Sequence, residues 1–390
     1  MNKQLFKTSQ FIKSFSENGQ LGGILLLLAT TVSLVITNSS QGESYLHFWE
    51  TTIGTGSLAL SVEAWVNDAL MVVFFFLVGI EIKRELQVGE LSSMKQALLP
   101  IVAALGGLIT PALIFLAFNH GTAAASGWAI PTSTDIAFSL AVLSLVGNRV
   151  PLGLKVFLTA LAIIDDLGAI LIIAFFYTEQ LQWVYLGLAA AITTVLIVLS
   201  RLKIRTLYAH WFLGIILWYC ILQSGIHATL AGVILAFTIP LEAISGLEHR
   251  LNKPVNYLLL PLFALANTTI HLSAEAFQSL LEPMELGIFL GLLLGKPLGI
   301  SLASFLLIQS KAAALPLHTN WKQMAGAGVV AGIGFTMSIF LTNLSFSNPE
   351  FLNGAKLSII LTSFTAGLLG FILLRWATKP MAYEGSFRKK

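Results

Sequence analysis

Residues 129–138 read AIPTSTDIAF, and this stretch decides the fold. Pro131 removes a backbone donor, and Thr132, Ser133 and Thr134 compete for backbone hydrogen bonds. A helix is expected to break here, with Asp135 at the break. The rest of the chain says what kind of helix that is. Its 390 residues are 56% hydrophobic and only 11% charged, with a mean hydropathy of +0.83. A soluble domain carries roughly a quarter charged residues, so most of this surface faces something other than water. Apolar runs near the ~20 residues that cross a bilayer recur throughout. The sequence therefore predicts an all-α polytopic membrane protein with about twelve transmembrane helices. They fall near 20–38, 64–86, 96–118, 126–147, 153–177, 182–200, 206–221, 224–239, 254–272, 285–309, 323–344 and 354–377.

Charge sets the orientation. Lys3, Lys7 and Lys13 lie in the leader, and Lys83, Arg84 and Lys95 between the second and third spans. Alternate connections then hold Arg149 and Lys155; Arg201, Lys203 and Arg205; Arg250 and Lys253; and Lys311 and Lys322. The opposite side has Lys356 alone, among acids such as Glu43, Glu50, Glu179, Glu275, Glu282 and Glu350. Both termini are thus expected in the cytoplasm, which also supports an even span count. Residues 1–19, with Phe6, Phe11, Ile12 and Phe15, read as a cytoplasmic amphipathic leader. The run from Leu21 to Thr37 lacks an A-x-A cleavage site and reads as a retained first span rather than a signal peptide. Residues 20–378 read as one transmembrane domain, and 379–390 as a basic cytoplasmic tail. Cys220 is the single cysteine, so no internal disulfide or cysteine-based zinc site is expected.

One outside connection is more than a turn. In SYLHFWETTIGTGSLALSVEAW, residues 44–65, a Gly-Thr-Gly-Ser turn separates two segments rich in β-branched and aromatic residues. A small periplasmic β-hairpin within 44–63 is expected, and its exposed edge could pair with a second copy.

The break at 129–138 has a counterpart in AGIGFTMSIF, residues 331–340, where Gly332 and Gly334 precede Thr336 and Ser338. By the charge-derived topology, spans 3–5 begin inside and spans 10–12 begin outside, and each triplet carries its break in the middle member. Inverted three-helix repeats with two broken, crossing helices have this pattern. Broken ends expose partial charges. Asp135 can offset facing helix N-termini, and Lys296, in LLLGKPLGI, can offset facing C-termini.

The remaining intramembrane charges lie in LAIIDDLGAI, residues 161–170. An ionised group in hydrocarbon costs several kcal/mol at least, so Asp135, Asp165, Asp166 and Lys296 should face the protein interior. Three carboxylates against one lysine exceed what a locking ion pair needs. Helix neighbours point ~100° apart, so one of Asp165 and Asp166 can face an ion cavity while the other faces the lysine. Carboxylate oxygen suits a hard cation such as Na+ or Li+, and the same group can hold a proton instead. That competition is the minimal chemistry of a cation/proton exchanger.

At this point the chain resembles the NhaA-type Na+/H+ antiporter family of bacterial inner membranes. The likeness rests on VNDALMVVFFFLVGIEIKREL, AIPTSTDIAFSL, LAIIDDLGAI, SGIHATLAG, PLFALAN, GKPLGI and GIGFTMSIF, in order from about Asp68 to Leu344. That family is itself one of the examples behind the inverted-repeat rule, so repeat and resemblance count as one argument. The resemblance implies an electrogenic, pH-regulated Na+(Li+)/H+ antiporter, active at alkaline pH and working by alternating access. It implies Asp166 as the exchanging carboxylate and Asp165 as its companion paired with Lys296, the two together taking the transported Na+ or Li+. Thr134 and Asp135 would stand in the broken helix beside them. It implies a homodimer through the 44–63 hairpin. It also implies a pH-sensing cytoplasmic funnel of Glu81, Arg84, Glu85, Glu248 and His249, with His227 modulating. Glu81 and Arg84, three residues apart, can pair on one helix face. Ser245 and Gly246 depart from the basic residues expected before Leu247, and Asn252 from a second histidine, so the pH threshold is in question.

No phosphate-binding loop is present, and no bound cofactor, nucleotide or nucleic acid is expected. The expected partners are Na+, Li+, H+ and membrane lipid, and the chain reads as a transporter rather than an enzyme. A Na+-coupled symporter of an organic solute would need a larger polar pocket. An intramembrane aspartyl protease would need Tyr-Asp and Gly-x-Gly-Asp on separate helices, where this chain has Thr-Asp and Asp-Asp.

Overall fold

The computed structural model describes residues 2–178, 181–202 and 207–378. Glu179, Lys203, Arg205 and the basic tail 379–390, all used in the charge reading, lie outside the described residues. Seven helices are long and apolar enough to cross a membrane: Gln20–Thr37, Val62–Val88, Met94–Asn119, Leu152–Phe176, Trp183–Arg201, Pro283–Gln309 and Pro349–Ala377. The first belongs to one continuous helix, Asn2–Thr37, that includes the leader. Two more spans are broken. Ala123–Thr132 meets Ile136–Val146 at a 42° bend, and Trp321–Ala331 meets Phe335–Ser345 at 44°. Counting each bent pair once gives nine among the described residues. The expected seventh and eighth spans are shorter helices, Leu207–Gln223 and Leu230–Thr238, and the expected ninth is the second half of a continuous helix that runs through Leu241–Pro254, the π turn Val255–Leu259 and Leu260–Asn267. Leu230–Thr238 stops early because Ile239 is extended, as a residue before proline tends to be.

The small sheet is antiparallel, with Thr52 opposite Ser61 and Ile53 opposite Leu60. Gly54 and Gly56 turn the chain at φ of +107° and +61°, a region glycine enters without strain. The hairpin is shorter than the sequence suggested. Its expected first arm is instead the helix Gly42–Glu50. Helical spacing lets Tyr45 and Trp49 pack edge to face at 5.9 Å, buries Trp49, and lets the Tyr45 hydroxyl donate to the Leu265 carbonyl at 3.0 Å. In a strand the two rings would share a face but stand about 13 Å apart, too far to touch.

Two π turns have a proline cause. Val255–Leu259 precedes Pro261, and Gly291–Gly295 precedes Pro297. A proline leaves the carbonyl four residues earlier without its usual donor, and a wider turn offers that carbonyl the following N–H. The second of these turns delivers Lys296 into the core. Lys296 also owes its place to the close crossing of Met94–Asn119 with Pro283–Gln309. There Gly106 and Gly299 face one another, and a Cβ on either would collide with the other's carbonyl oxygen.

At the acidic end, three amides tie three helices together. Asn267 is fully buried, and its Nδ2 donates to Asn67 Oδ1 at 2.8 Å and to the Phe263 carbonyl at 2.9 Å. Its Oδ1 accepts from Asn67 at 3.2 Å and from Asn343 at 2.5 Å. The lone basic residue of that end, Lys356, lies 4.0 Å from Glu63.

The glycine crossing makes a testable demand. Gly299→Val is expected to cost about 1–3 kcal/mol by overpacking. Leu298→Val, one position away but 60% exposed on the apolar exterior, should stay within about 0.5 kcal/mol of native. Thermal unfolding in detergent reads both, and an unshifted Gly299→Val midpoint would rule out the close crossing.

Candidate functional site

The two breaks lie against each other. The Asp135 N–H donates to the Ile333 carbonyl at 2.7 Å, and the Ser139 hydroxyl to the Val330 carbonyl at 3.1 Å. Asp135 caps two helices at once. Its Oδ1 accepts from the Phe138 N–H of its own helix at 2.9 Å. Its Oδ2 accepts from the Thr336 N–H at 3.1 Å and the Thr336 hydroxyl at 2.6 Å, in the first turn of Phe335–Ser345. Both helix N-termini thereby gain an acceptor where their N–H groups have no partner of their own. Ser338 completes the crossing, donating to the Ile130 carbonyl at 2.8 Å.

Lys296 serves the opposite polarity. Its ammonium donates to the carbonyl of Thr132, at the end of the first half-helix, and pairs with Asp165 Oδ2 at 2.7 Å. Asp165 Oδ2 also lies 2.7 Å from the Thr134 hydroxyl, which is itself 2.8 Å from the Ala331 carbonyl. Thr134 has one proton and can serve one of these oxygens at a time. Asp165, Asp166 and Lys296 are all shut away from solvent.

Adjacent on one helix, the two aspartates diverge. Asp165 turns to Lys296, while Asp166 lines a cavity with Glu81, Thr134, Asp135, Asn252, Asn256 and Thr336. Asp165 Oδ1 and Asp166 Oδ1 are buried with no hydrogen-bond partner. A buried acceptor without a protein donor is costly, and a proton, a hard cation or an ordered water satisfies it. The cavity measures about 40 Å³. That admits an ion with a few waters, whereas pockets for organic solutes run to roughly 300–1,000 Å³. Among the described residues no group of three or more His, Cys, Asp or Glu side chains could hold a metal as a resident ligand set.

Toward the basic end, one turn beyond the cavity-lining Glu81 and Asn252, a charged cluster stands where a mouth would open. Arg84 bridges two helices there, with Nη2 2.8 Å from Glu85 Oε1 and Nε 3.0 Å from Glu248 Oε2. Glu85 Oε2 also accepts from the Glu90 N–H at 2.9 Å. The buried mouth pushes the Glu248 carboxyl above the usual range, an effect that Arg84 opposes and Glu85 reinforces. His249 points elsewhere and is exposed, as are Ser245 and Gly246. His227 belongs to the other end. It lies 3.7 Å from Asp68, contacts Thr229 at 3.0 Å through Nδ1, and packs on Phe340 beside a vestibule of about 790 Å³.

Two features of the site escaped the sequence reading. Thr336 was visible only as part of a break, not as the donor to Asp135. Asn256 was not singled out at all, although its spacing of four from Asn252 and eight from Glu248 put it on their helix face.

The chain also matches known proteins. A family model described as Na+/H+ antiporter 1 matches residues 13–374. The chain is 48% identical over 384 residues to the Na(+)/H(+) antiporter NhaA of Flavobacterium psychrophilum, covering 97% of this chain and 99% of that one. It is 48% identical over 385 residues to the antiporter of the same name from Cytophaga hutchinsonii, covering 97% and 98%. With the one from Escherichia coli it shares 47% identity over 380 residues, covering 94% and 98%.

The buried pair predicts a thermodynamic cycle. Lys296→Met strands the Asp165 carboxylate and should cost about 3–5 kcal/mol, read from thermal unfolding in detergent. Adding Asp165→Asn should recover most of that loss. Additive losses in the double variant would show that the two groups are not coupled.

Proposed function

Because the chain belongs to the Na+/H+ antiporter 1 family and so exchanges sodium for protons across a membrane, we propose that Asp166 is the carboxylate on which cation and proton compete. The observation that carries this reading is the buried, unpartnered Oδ1 of Asp166 at the end of the cavity. Li+ shares the site with Na+, since both are hard cations that take oxygen ligands. Asp165 contributes a second carboxylate to the cation and is returned to Lys296 when the cation leaves. Thr134, able to face either Asp165 or the Ala331 carbonyl, follows that change. Asp135 keeps the crossing neutral throughout by holding both helix N-termini.

Two protonatable partners of the cation, Asp166 and the Asp165–Lys296 pair, make the exchange electrogenic, with more than one proton taken in for each cation expelled. Access alternates between the basic mouth and the acidic-end vestibule. The protein lies in a bacterial inner membrane with its basic end and both termini in the cytoplasm, an orientation that the lysine and arginine bias supports. It works as a homodimer joined through the hairpin, whose outer edges offer backbone groups for pairing beside the Ile53 carbonyl that Trp65 Nε1 already occupies at 3.1 Å. Glu81, Arg84, Glu85 and Glu248 make the mouth pH-sensitive, while His227 modulates from the vestibule. No bound cofactor takes part; Na+, Li+ and H+ are the cargo.

Inside-out vesicles with a respiration-driven pH gradient and a ΔpH-sensitive dye test the central role. Na+ or Li+ should collapse the gradient for the native protein, and Asp166→Asn should abolish the response. A native protein, present and folded, that leaves the gradient intact from acidic to alkaline pH would sink the reading.

The mouth supplies a second test. Glu248 is protonated at low pH and, because its pKa is raised, ionises only as pH climbs past the ordinary carboxylate range. Its pairing with Arg84 strengthens in that same interval. Glu248→Gln mimics the protonated form at every pH, so the activity profile should move to the alkaline side or flatten. A profile superimposable on native would remove Glu248 from pH control.

A further inference from the structure

The cavity that ends at Asp166 has amides, not carboxylates, on one wall. Glu248, Asn252 and Asn256 recur every four residues and share a face of the helix Leu241–Pro254 and its π-turn continuation, Val255–Leu259. Glu248 is engaged at the mouth by Arg84 at 3.0 Å. Asn252 and Asn256 lie deeper, where they line the cavity with Glu81 and Asp166.

Asn256 is fixed in one orientation. Its Nδ2 donates to the Asn252 carbonyl at 2.9 Å and to Asn252 Oδ1 at 2.6 Å. Both amide hydrogens are spent, so the polar atom left to the cavity is Oδ1, an acceptor with two lone pairs. The first span backs the residue, with a Cβ at Gly22 falling 3.3 Å from the Asn256 Cβ. The π turn beginning at Val255 widens the helix at this point, a local geometry that recurs at functional sites.

A cation moving inward here meets a chemical problem. The cavity measures about 40 Å³. A cavity needs about 10–15 Å³ of such volume to hold one water, so roughly three fit and a full hydration shell does not. Some of that shell must be replaced by protein oxygen before Asp166 is reached. A further carboxylate beside Glu81 and Asp166 would be repelled by them and would take up a proton. A neutral amide oxygen replaces water without exchanging protons.

We infer that Asn256, held by Asn252, is a transit ligand whose Oδ1 takes over part of the hydration shell of Na+ or Li+ between the basic mouth and Asp166. This deepens the proposed antiport and rests on it. The predicted contact is made on the way in, so it governs apparent affinity rather than the turnover of a saturated carrier.

The test uses inside-out vesicles with the basic mouth facing the medium, titrated with NaCl and with LiCl. Asn256→Leu should raise KM for both ions roughly ten-fold with maximal rate little changed, the scale on which a displaced supporting ligand weakens a metal site. Asn256→Asp keeps an oxygen there; read at alkaline pH, where its proton has left, it should hold KM well below that of Asn256→Leu. A native KM in Asn256→Leu overturns the inference, as does a fall in maximal rate at unchanged KM. Equal rises in the Leu and Asp variants also overturn it, since the position would then only fill space. Should Asn256→Leu fail to accumulate, Asn256→Ser and Asn256→Ala replace it. Serine must keep the lower KM, and equality rejects the oxygen's role. A native protein that does not respond to either ion fails at the earlier step and rejects the antiport reading itself.

Discussion

Asp165 Oδ2 lies 2.7 Å from the Lys296 ammonium and 2.7 Å from the Thr134 hydroxyl, with neither charged group reaching solvent. Removing two such charges from water costs several kcal/mol per ion, and geometry this close is needed to offset it. The surrounding structure can be read as what that pair requires. The broken helix brings Thr134 and the Thr132 carbonyl to the pair. The π turn ahead of Pro297 and the Gly106–Gly299 crossing bring the lysine. The Asp135 carboxylate, accepting three bonds, settles the two helix N-termini that the crossing creates.

Asp166 is the exception that gives the arrangement a use. It shares the helix and the burial of Asp165 but makes no ion pair among the described residues and has one oxygen with no protein donor. It lines a narrow cavity together with Glu81, Asn252 and Asn256. A group so placed is stable only when something arrives to neutralise it, and the two candidates of the right size are a proton and a small hard cation. In the proposed account, exchange is this one instability satisfied alternately by two ligands from two sides.

Much of this was legible before any coordinates. Proline and hydroxyl residues around Asp135 forecast the break by removing donors and offering rival ones. The Asp-Asp pair forecast two environments because helix neighbours cannot point the same way. What failed did so for physical reasons. The aromatics of residues 44–50 suit a strand by composition, but their packing at a spacing of four won, giving a helix. Arg84 was matched to Glu81 by local spacing, whereas its ion pairs at 2.8 and 3.0 Å run to Glu85 and, across helices, to Glu248. His249 was placed beside Glu248 by the family resemblance, and its helix position turns it outward, away from the buried Glu248. The amide cluster of Asn67, Asn267 and Asn343 joins positions up to 276 residues apart, and no local pattern announces it.

The claim that cation and proton compete for one carboxylate is tested most directly by proton release. Purified protein in detergent is titrated with NaCl or LiCl by calorimetry, in two buffers of different ionisation enthalpy, across a range of pH. The account predicts that binding releases protons, that affinity strengthens as pH rises, and that Asp166→Asn abolishes both. Cation binding of constant affinity with no proton released would contradict it.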